Sequence, residues 1–180
     1  MSLQRTPVSG AIVKQRIPFS TASFAAFVAG DYALPPLPSP MTATIQAVAA
    51  NNLSFAAYAV RMQDDGAVVS LEIKNRVPSG VAADVVKYRI VKIPAATLFG
   101  GAALVPVPSA GSVFLAPTQL VLDVANTDVT QNRAAIAIND SASAAFADGD
   151  YLVVLATIPV GGLTASPAAV DAQIEFFTVR

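Results

Sequence analysis

The sequence predicts an all-β protein, an antiparallel β-sandwich, on three observations. Short runs rich in Val, Ile, Tyr and Phe recur along the chain, several of them alternate apolar and polar side chains with a period of two, and Pro, Gly, Ser and Asn cluster between them. Alanine-rich stretches lack the charged face and the caps of an exposed helix, so one helical turn at most is expected, near Ala22 to Val28 or Ser141 to Phe146. A chain of 180 residues supports one substantial core. The expected organisation is a flexible amino-terminal arm over 1–10 and a single sandwich domain over 11–180.

The strongest local signal is a hairpin. Leu53 to Gln63 and Ala67 to Asn75 flank Asp64-Asp65-Gly66, a three-residue connection with glycine where a positive φ is needed. The second arm sets Val69, Leu71 and Ile73 against Ser70, Glu72 and Lys74, the pattern of a half-buried strand. Val85 to Ile93 opposes Val86, Tyr88 and Ile90 to Lys87, Arg89 and Val91 before Pro94 stops it. Tyr151 to Ile158 is apolar on both faces, which places it in the middle of a sheet or against another subunit. Further strands are expected over Ala11 to Ile17, Met41 to Ala49, Gln119 to Val124, Ala134 to Ile138 and Ala172 to Val179. The last of these ends almost flush with the chain, so it should pair inside a sheet or across a subunit boundary. The long connections Leu34 to Pro40, Pro94 to Pro117 and Pro159 to Pro167 read as functional surface or contacts to another chain.

One pattern occurs twice: Ala25-Ala26-Phe27 followed by Gly30-Asp31-Tyr32, and Ala144-Ala145-Phe146 followed by Gly149-Asp150-Tyr151. It reads first as a recurring way of entering a strand, with tyrosine packing at a corner, and second as two pseudo-equivalent contacts.

Composition removes much of enzyme chemistry. With no His, Cys or Trp there is no imidazole base, no thiolate, no disulfide and no zinc, copper or haem site built on those side chains. No Gly-x-Ser-x-Gly elbow or Ser-x-x-Lys pair is present, and Ser9, Ser79, Ser109 and Ser112 lie beside Gly or Pro in turns. Gly100-Gly101 and Gly161-Gly162 lack the lysine or helix of a phosphate cradle. The carboxylates Asp64-Asp65 and Asp148-Gly149-Asp150 fit ordinary turn chemistry better than a calcium loop, with weak calcium binding left open at Asp148 and Asp150. No catalytic, cofactor or metal residue is therefore assigned.

A net charge of -1 supplies no field for a phosphate backbone or an anionic membrane surface. Lys87, Arg89 and Lys92, with Lys74 and Arg76, could form a basic edge if their strands are neighbours. Tyr32, Tyr58, Tyr88 and Tyr151 leave a lectin-like reading open. The long uncharged runs Tyr32 to Val60 and Ile93 to Leu122 are broken by prolines and cannot be membrane helices, and no signal peptide is expected. Charged residues make up 13% of the chain against about 25% in ordinary soluble domains, which points to a surface made for association.

The Ala/Val/Thr-rich strands, the absence of Cys, His and Trp, the proline-bracketed Leu34-Pro35-Pro36-Leu37-Pro38 and the strand Asp150 to Val154 resemble the jelly-roll decoration, or cement, proteins of tailed-bacteriophage capsids. The resemblance implies a non-enzymatic virion protein on the capsid exterior. Such a protein dimerises or trimerises and bridges neighbouring capsomers of the major capsid protein through its arm and long loops. It would need no cofactor, nucleic acid, membrane or small-molecule substrate. The alternative is an immunoglobulin-like sandwich from an adhesin, pilus or tail-fibre assembly, because Gly149-Asp150-Tyr151 also resembles a tyrosine corner.

Overall fold

The computed structural model describes residues 12–21, 29–38, 46–47, 58–77, 83–94, 113–114, 120–136, 144–164 and 169–179. These carry β1 (Ile12–Thr21), β2 (Gly30–Ala33), β3 (Gln46–Ala47), β4 (Val60–Arg61), β5 (Gly66–Val77), β6 (Val85–Ile93), β7 (Val113–Phe114), β8 (Leu122–Ala125), β9 (Asn132–Ala135), β10 (Ala145–Phe146), β11 (Tyr151–Ile158) and β12 (Ala169–Val179). Every named pairing is antiparallel.

The strands form a five-stranded sheet, β1-β12-β5-β10 with β9 beside β5, and a seven-stranded sheet, β3-β2-β11-β6-β7 with β4 on β11 and β8 on β6. The long path β1, β2, β5, β6, β8, β9, β11, β12 pairs first with last, second with second-last, and so inward. That nesting is one long hairpin rolled up on itself, which is the jelly roll. It overturns the immunoglobulin-like alternative, in which the first strand pairs with the second. Here β1 pairs with β12 and crosses to the other sheet before β2 begins.

The roll places the strand ends Thr21, Gly30, Val77, Val85, Ala125, Asn132, Ile158 and Ala169, with the turns over 126–131 and 159–164, at one end of the sandwich, called the apex here. Ile12, Ala33, Gly66, Ile93, Leu122, Ala135, Tyr151 and Val179 lie at the other, the base.

Between the sheets lies the main core, with Phe19, Leu71 and Ile73 from one side meeting Tyr88, Ile90 and Val154 from the other. A second cluster, Ala33, Val91, Ile93, Val153 and Leu155, is buried on the opposite face of the seven-stranded sheet under Tyr58, Ala59 and Tyr151. This double burial explains why β11 shows no alternation: it sits between β2 and β6, and both its faces are apolar.

The strand over Val85 to Ile93 forms as read, and the terminal strand runs inside the sheet between β1 and β5, starting at Ala169. The strand expected over Ala11 to Ile17 continues through Pro18 to Thr21, because β1 is an edge strand and the missing N–H of Pro18 faces away from the ladder with β12. The expectation over Met41 to Ala49 meets only β3 among the described residues. Of the two expected helical turns, 22–28 lies outside the described residues, and Ala145–Phe146 is strand. The short strands β7 and β10 carried no strand signal, whereas β2 starts at Gly30-Asp31-Tyr32, the pattern read as an entry into a strand.

The hairpin is a correction. Arg61 and Val60 pair with Tyr151 and Leu152 of the seven-stranded sheet, while β5 belongs to the five-stranded one. Met62 keeps to the first sheet by donating its N–H to the Asp150 carbonyl at 2.8 Å and accepting from the Gly149 N–H. Three residues later the Asp65 carbonyl accepts from Val179 in the second. Asp64-Asp65 is thus the corner where the chain changes sheets. Gly66 has no positive φ, unlike Gly149, Gly161 and Gly162. It opens β5, where an added Cβ would lie 2.1 Å from the Phe177 carbonyl oxygen and 2.6 Å from the Phe146 ring. Close approach of neighbouring strands demands this glycine.

The recurring Gly-Asp-Tyr pattern does not mark equivalent corners either. Tyr32 packs on the main core and Tyr151 on the second cluster, while Asp31 lies within β2 and Asp150 in the turn before β11.

Val154 is fully buried in the main core. Val154→Asp is expected to cost at least about 4 kcal/mol, because a carboxylate there has no counter-charge. Urea denaturation of the variant checks this, and a midpoint within error of the parent would place Val154 outside the core.

Candidate interaction surface

The outer face of the five-stranded sheet is organised around one carboxylate. Ordinary alternation along β12 keeps Ile174 and Phe176 in the core and sets Glu175 on the outer face, while the register shift opposite Glu175 and Phe176 takes up an extra residue, Val69, on β5. There Glu175 receives Lys14 Nζ at 2.8 Å, Arg16 Nη2 at 3.1 Å and Arg133 Nη2 at 3.3 Å. The aliphatic stems of these cations cover it, so its side chain is only 2% exposed on a solvent face. Arg133 extends the network to Glu72 at 3.2 Å, and Gln131 donates to Glu72 at 2.7 Å. The Lys14 hydrogen bond, joined by Arg16, holds the Glu175 carboxyl below its ordinary 4.5, against burial, which pushes it up.

Sequence reading missed this cluster. Arg16 and Arg133 are 159 and 42 residues from Glu175 along the chain. The available signal was the alternation of Gln173 and Glu175 with Ile174 and Phe176, which marks outward positions without naming partners.

The basic edge does not form. Lys74 and Arg76 lie on β5 and Lys87, Arg89 and Lys92 on β6, in different sheets. Four of the five are engaged locally: Arg76 with Asp171 at 3.1 Å, Lys87 with Asp123 at 3.9 Å, Arg89 with Asp31 at 3.1 Å and Lys92 with the Ala145 carbonyl at 3.0 Å. The tyrosines do not share a platform, since Tyr88 is fully buried in the main core, where burial pushes its phenol above the ordinary range.

The two acidic clusters meet at the base as turn chemistry. Asp65 Oδ1 accepts from the Asp148 N–H at 2.9 Å, Asp150 Oδ2 accepts from the Ala147 N–H at 2.9 Å, and Gly149 takes a φ of 87° between them. Arg61 and Lys92 approach Asp148 and Asp150 at 3.9 and 4.0 Å. No group of three or more acidic side chains placed to share an ion occurs among the described residues. Ser9, Ser79, Ser109, Ser112 and Gly100-Gly101 lie outside them.

Among the described residues, the exposed large apolar side chains stand at the two ends, apart from Leu37, which lies beside Pro18 of β1. Val85, Val129 and Val160 stand at the apex, and Val160, at 99% exposure, caps a turn whose Gly161 and Gly162 have φ of 105° and 76°. Asp84 ties this end together. Its carboxylate accepts from the Thr164 N–H at 2.8 Å and the Thr164 hydroxyl at 3.2 Å, and its carbonyl accepts from the Asn126 N–H. In the neighbouring turn Asp128 accepts from the Thr130 hydroxyl, the Asn132 amide and the Thr130 N–H, which together lower its pKa. At the base Ile12 and Val179 are cross-strand neighbours, 73% and 51% exposed. Val179 also lines a shallow 550 Å³ hollow with Ala67, Ala145, Phe146 and Phe177.

No family model matches the chain, and no curated protein matches it in sequence. Among solved structures it is similar to one from Desmodium yellow mottle tymovirus, at 15% identity and a TM-score of 0.31 over 99% of this chain and 94% of that one. It is also similar to the empty head of turnip yellow mosaic virus, at 13% identity and a TM-score of 0.32 over 99% and 86%. A further turnip yellow mosaic virus structure gives 14% identity and a TM-score of 0.30 over the same shares. Likenesses at this level carry no argument, and the jelly roll rests on the chain's own strand order. No helix among the described residues is long and apolar enough to cross a membrane.

Because the folded pKa of Glu175 is depressed, its contribution to stability is full above the unfolded carboxylate value and is lost as pH falls through the folded one. Glu175→Gln is expected to lower the urea midpoint near neutral pH and to lose less and less ground to the parent as pH drops below 4.5. A constant gap across that range would show that the charge is irrelevant.

Proposed function

We propose that this chain is a non-enzymatic structural protein of a virion. It sits on the capsid exterior and stabilises the shell by bridging neighbouring capsomers as a homo-oligomer, a dimer or trimer. The observation that carries the reading is the placement of exposed apolar side chains at both ends of a jelly roll, Val85, Val129 and Val160 at one and Ile12 and Val179 at the other. A shell protein gains its effect from area buried over many copies, and apolar, charge-poor contact surfaces serve that better than a reactive group. The 13% charged fraction agrees. Its partners are copies of itself and the major capsid protein, and it uses no cofactor, nucleic acid, membrane or small-molecule substrate. Residues 1–10 act as an arm that orders on a neighbour, beside the domain formed by residues 11–180.

Light scattering across a dilution series is expected to give a dilution-resistant dimer or trimer; a monomer at every concentration would remove the homo-oligomer. Val160→Glu should leave stability within about 0.5 kcal/mol of the parent, since the side chain is 99% exposed, yet weaken self-association or shell binding at least about tenfold. Deleting Met1 to Val8 should leave the thermal midpoint unchanged and reduce co-sedimentation with shells, and equal co-sedimentation would count against the arm.

A further inference from the structure

Among the described residues, the first strand is paired along only part of the edge that faces away from β12. At its far end Phe19 bridges Pro36, Ser20 donates its N–H to the Pro35 carbonyl at 3.1 Å, and the Pro18 carbonyl accepts from the Leu37 N–H at 2.9 Å. The chain's own 35–37 segment is therefore a short strand added to β1. Backbone groups alternate sides along an antiparallel strand. Since Pro18 and Ser20 point away from β12, Arg16, Lys14 and Ile12 present their N–H and C=O groups to that same open side. Among the described residues nothing pairs with β1 there, and Ile12 is 73% exposed.

Two features beside this open half give it selectivity. On the inner side lies a 170 Å³ cavity whose apolar wall is Ile17, Val60, Met62 and Phe176 and whose polar rim includes Gln15, Arg61, Gln63, Asp64 and Thr178. On the outer side Lys14 and Arg16, each 62% exposed, share the single carboxylate of Glu175, which Arg133 also contacts. Positive charge is thus in excess along the edge. A second copy of β1 would set Lys14 and Arg16 against themselves, and like charges directly opposite destabilise a strand pair. The same cations favour a strand with acids at alternate positions.

We propose that the Ile12–Arg16 half of β1 is a strand-addition site for an extended segment of a partner protein that alternates acidic and apolar residues. The acids face Lys14 and Arg16, and an apolar side chain enters the cavity beside Gln15 and Ile17. Main-chain hydrogen bonds hold the segment and the alternate side chains select it. This inference does not rest on the capsid reading.

The test uses the full chain and a fluorescently labelled synthetic peptide alternating glutamate and valine, followed by anisotropy beside its lysine–valine counterpart. Saturable binding is expected for the acidic peptide, at least about tenfold tighter than for the basic one. Ile12→Pro removes an N–H that points off the β12 ladder and should weaken binding at least about tenfold with an unchanged thermal midpoint. N-methylation of the peptide at alternate residues, on the side facing β1, should abolish binding, and this arm holds even where the proline variant fails to fold. No saturable binding, equal affinity for the two peptides, or undiminished binding of the N-methylated peptide would overturn the proposal. Any of these with the oligomer intact leaves the capsid reading standing.

Discussion

The structure depends on inserting the last strand between strands laid down far earlier. Ala169 to Val179 pairs on one edge with Ile12 to Thr21 and on the other with Gly66 to Val77, so the five-stranded sheet does not exist without it. Its inward residues Val170, Ile174 and Phe176 complete the core from above, and Phe176 meets Phe146 edge to face at 5.7 Å. A sheet whose first and last strands are neighbours must close the largest loop the chain offers, and that cost in chain entropy is recovered only when both edges of β12 are satisfied. Glu175 is placed at this seam. Its carboxylate joins the edge strand, through Lys14 and Arg16, to the strand on the far side of β5, through Arg133.

Charge and apolarity are divided between regions of the surface. The outer face of the five-stranded sheet carries the Glu175 and Glu72 networks, whose cations pair with a buried and a half-buried carboxylate while staying exposed themselves. The two ends carry the exposed valines and Ile12, where strands give way to turns and no second sheet is available to cover them. The opposite face of the seven-stranded sheet is buried as a second apolar cluster around Val153 and Leu155. Charged side chains on the other sheet and in the turns are engaged by neighbours, as Arg89 is by Asp31 and Asp84 by Thr164, so the exposed valines and Ile12 remain the ends' apolar contact points.

The strand edges are treated unevenly as well. The Pro35 to Leu37 segment covers the upper part of β1, while Lys14 and Arg16 guard the lower part with charge. Edge cations discourage indiscriminate pairing. Combined with an adjoining cavity they also set what kind of strand is admitted.

Periodicity and composition determined the all-β class and the limits of Val85 to Ile93, and narrowed Tyr151 to Ile158 and the terminal strand to a sheet interior or a subunit contact, because burial on one or two faces writes itself directly into alternation. Turn chemistry at Asp148-Gly149-Asp150 was legible for the same local reason. Tertiary structure alone decided which strands pair. Asp64-Asp65-Gly66 has the residues of a hairpin turn and serves as a corner between sheets, since Val60 and Arg61 find their partners in β11 and Gly66 is needed for a close crossing under Phe177. The jelly roll was reached in the sequence only through a resemblance and not from any pairing pattern, and the Glu175 cluster and the open half of β1 left no signal that names their partners. Each depends on contacts between residues tens to more than a hundred positions apart, and a local pattern records whether a side chain is buried but not which distant strand buries it.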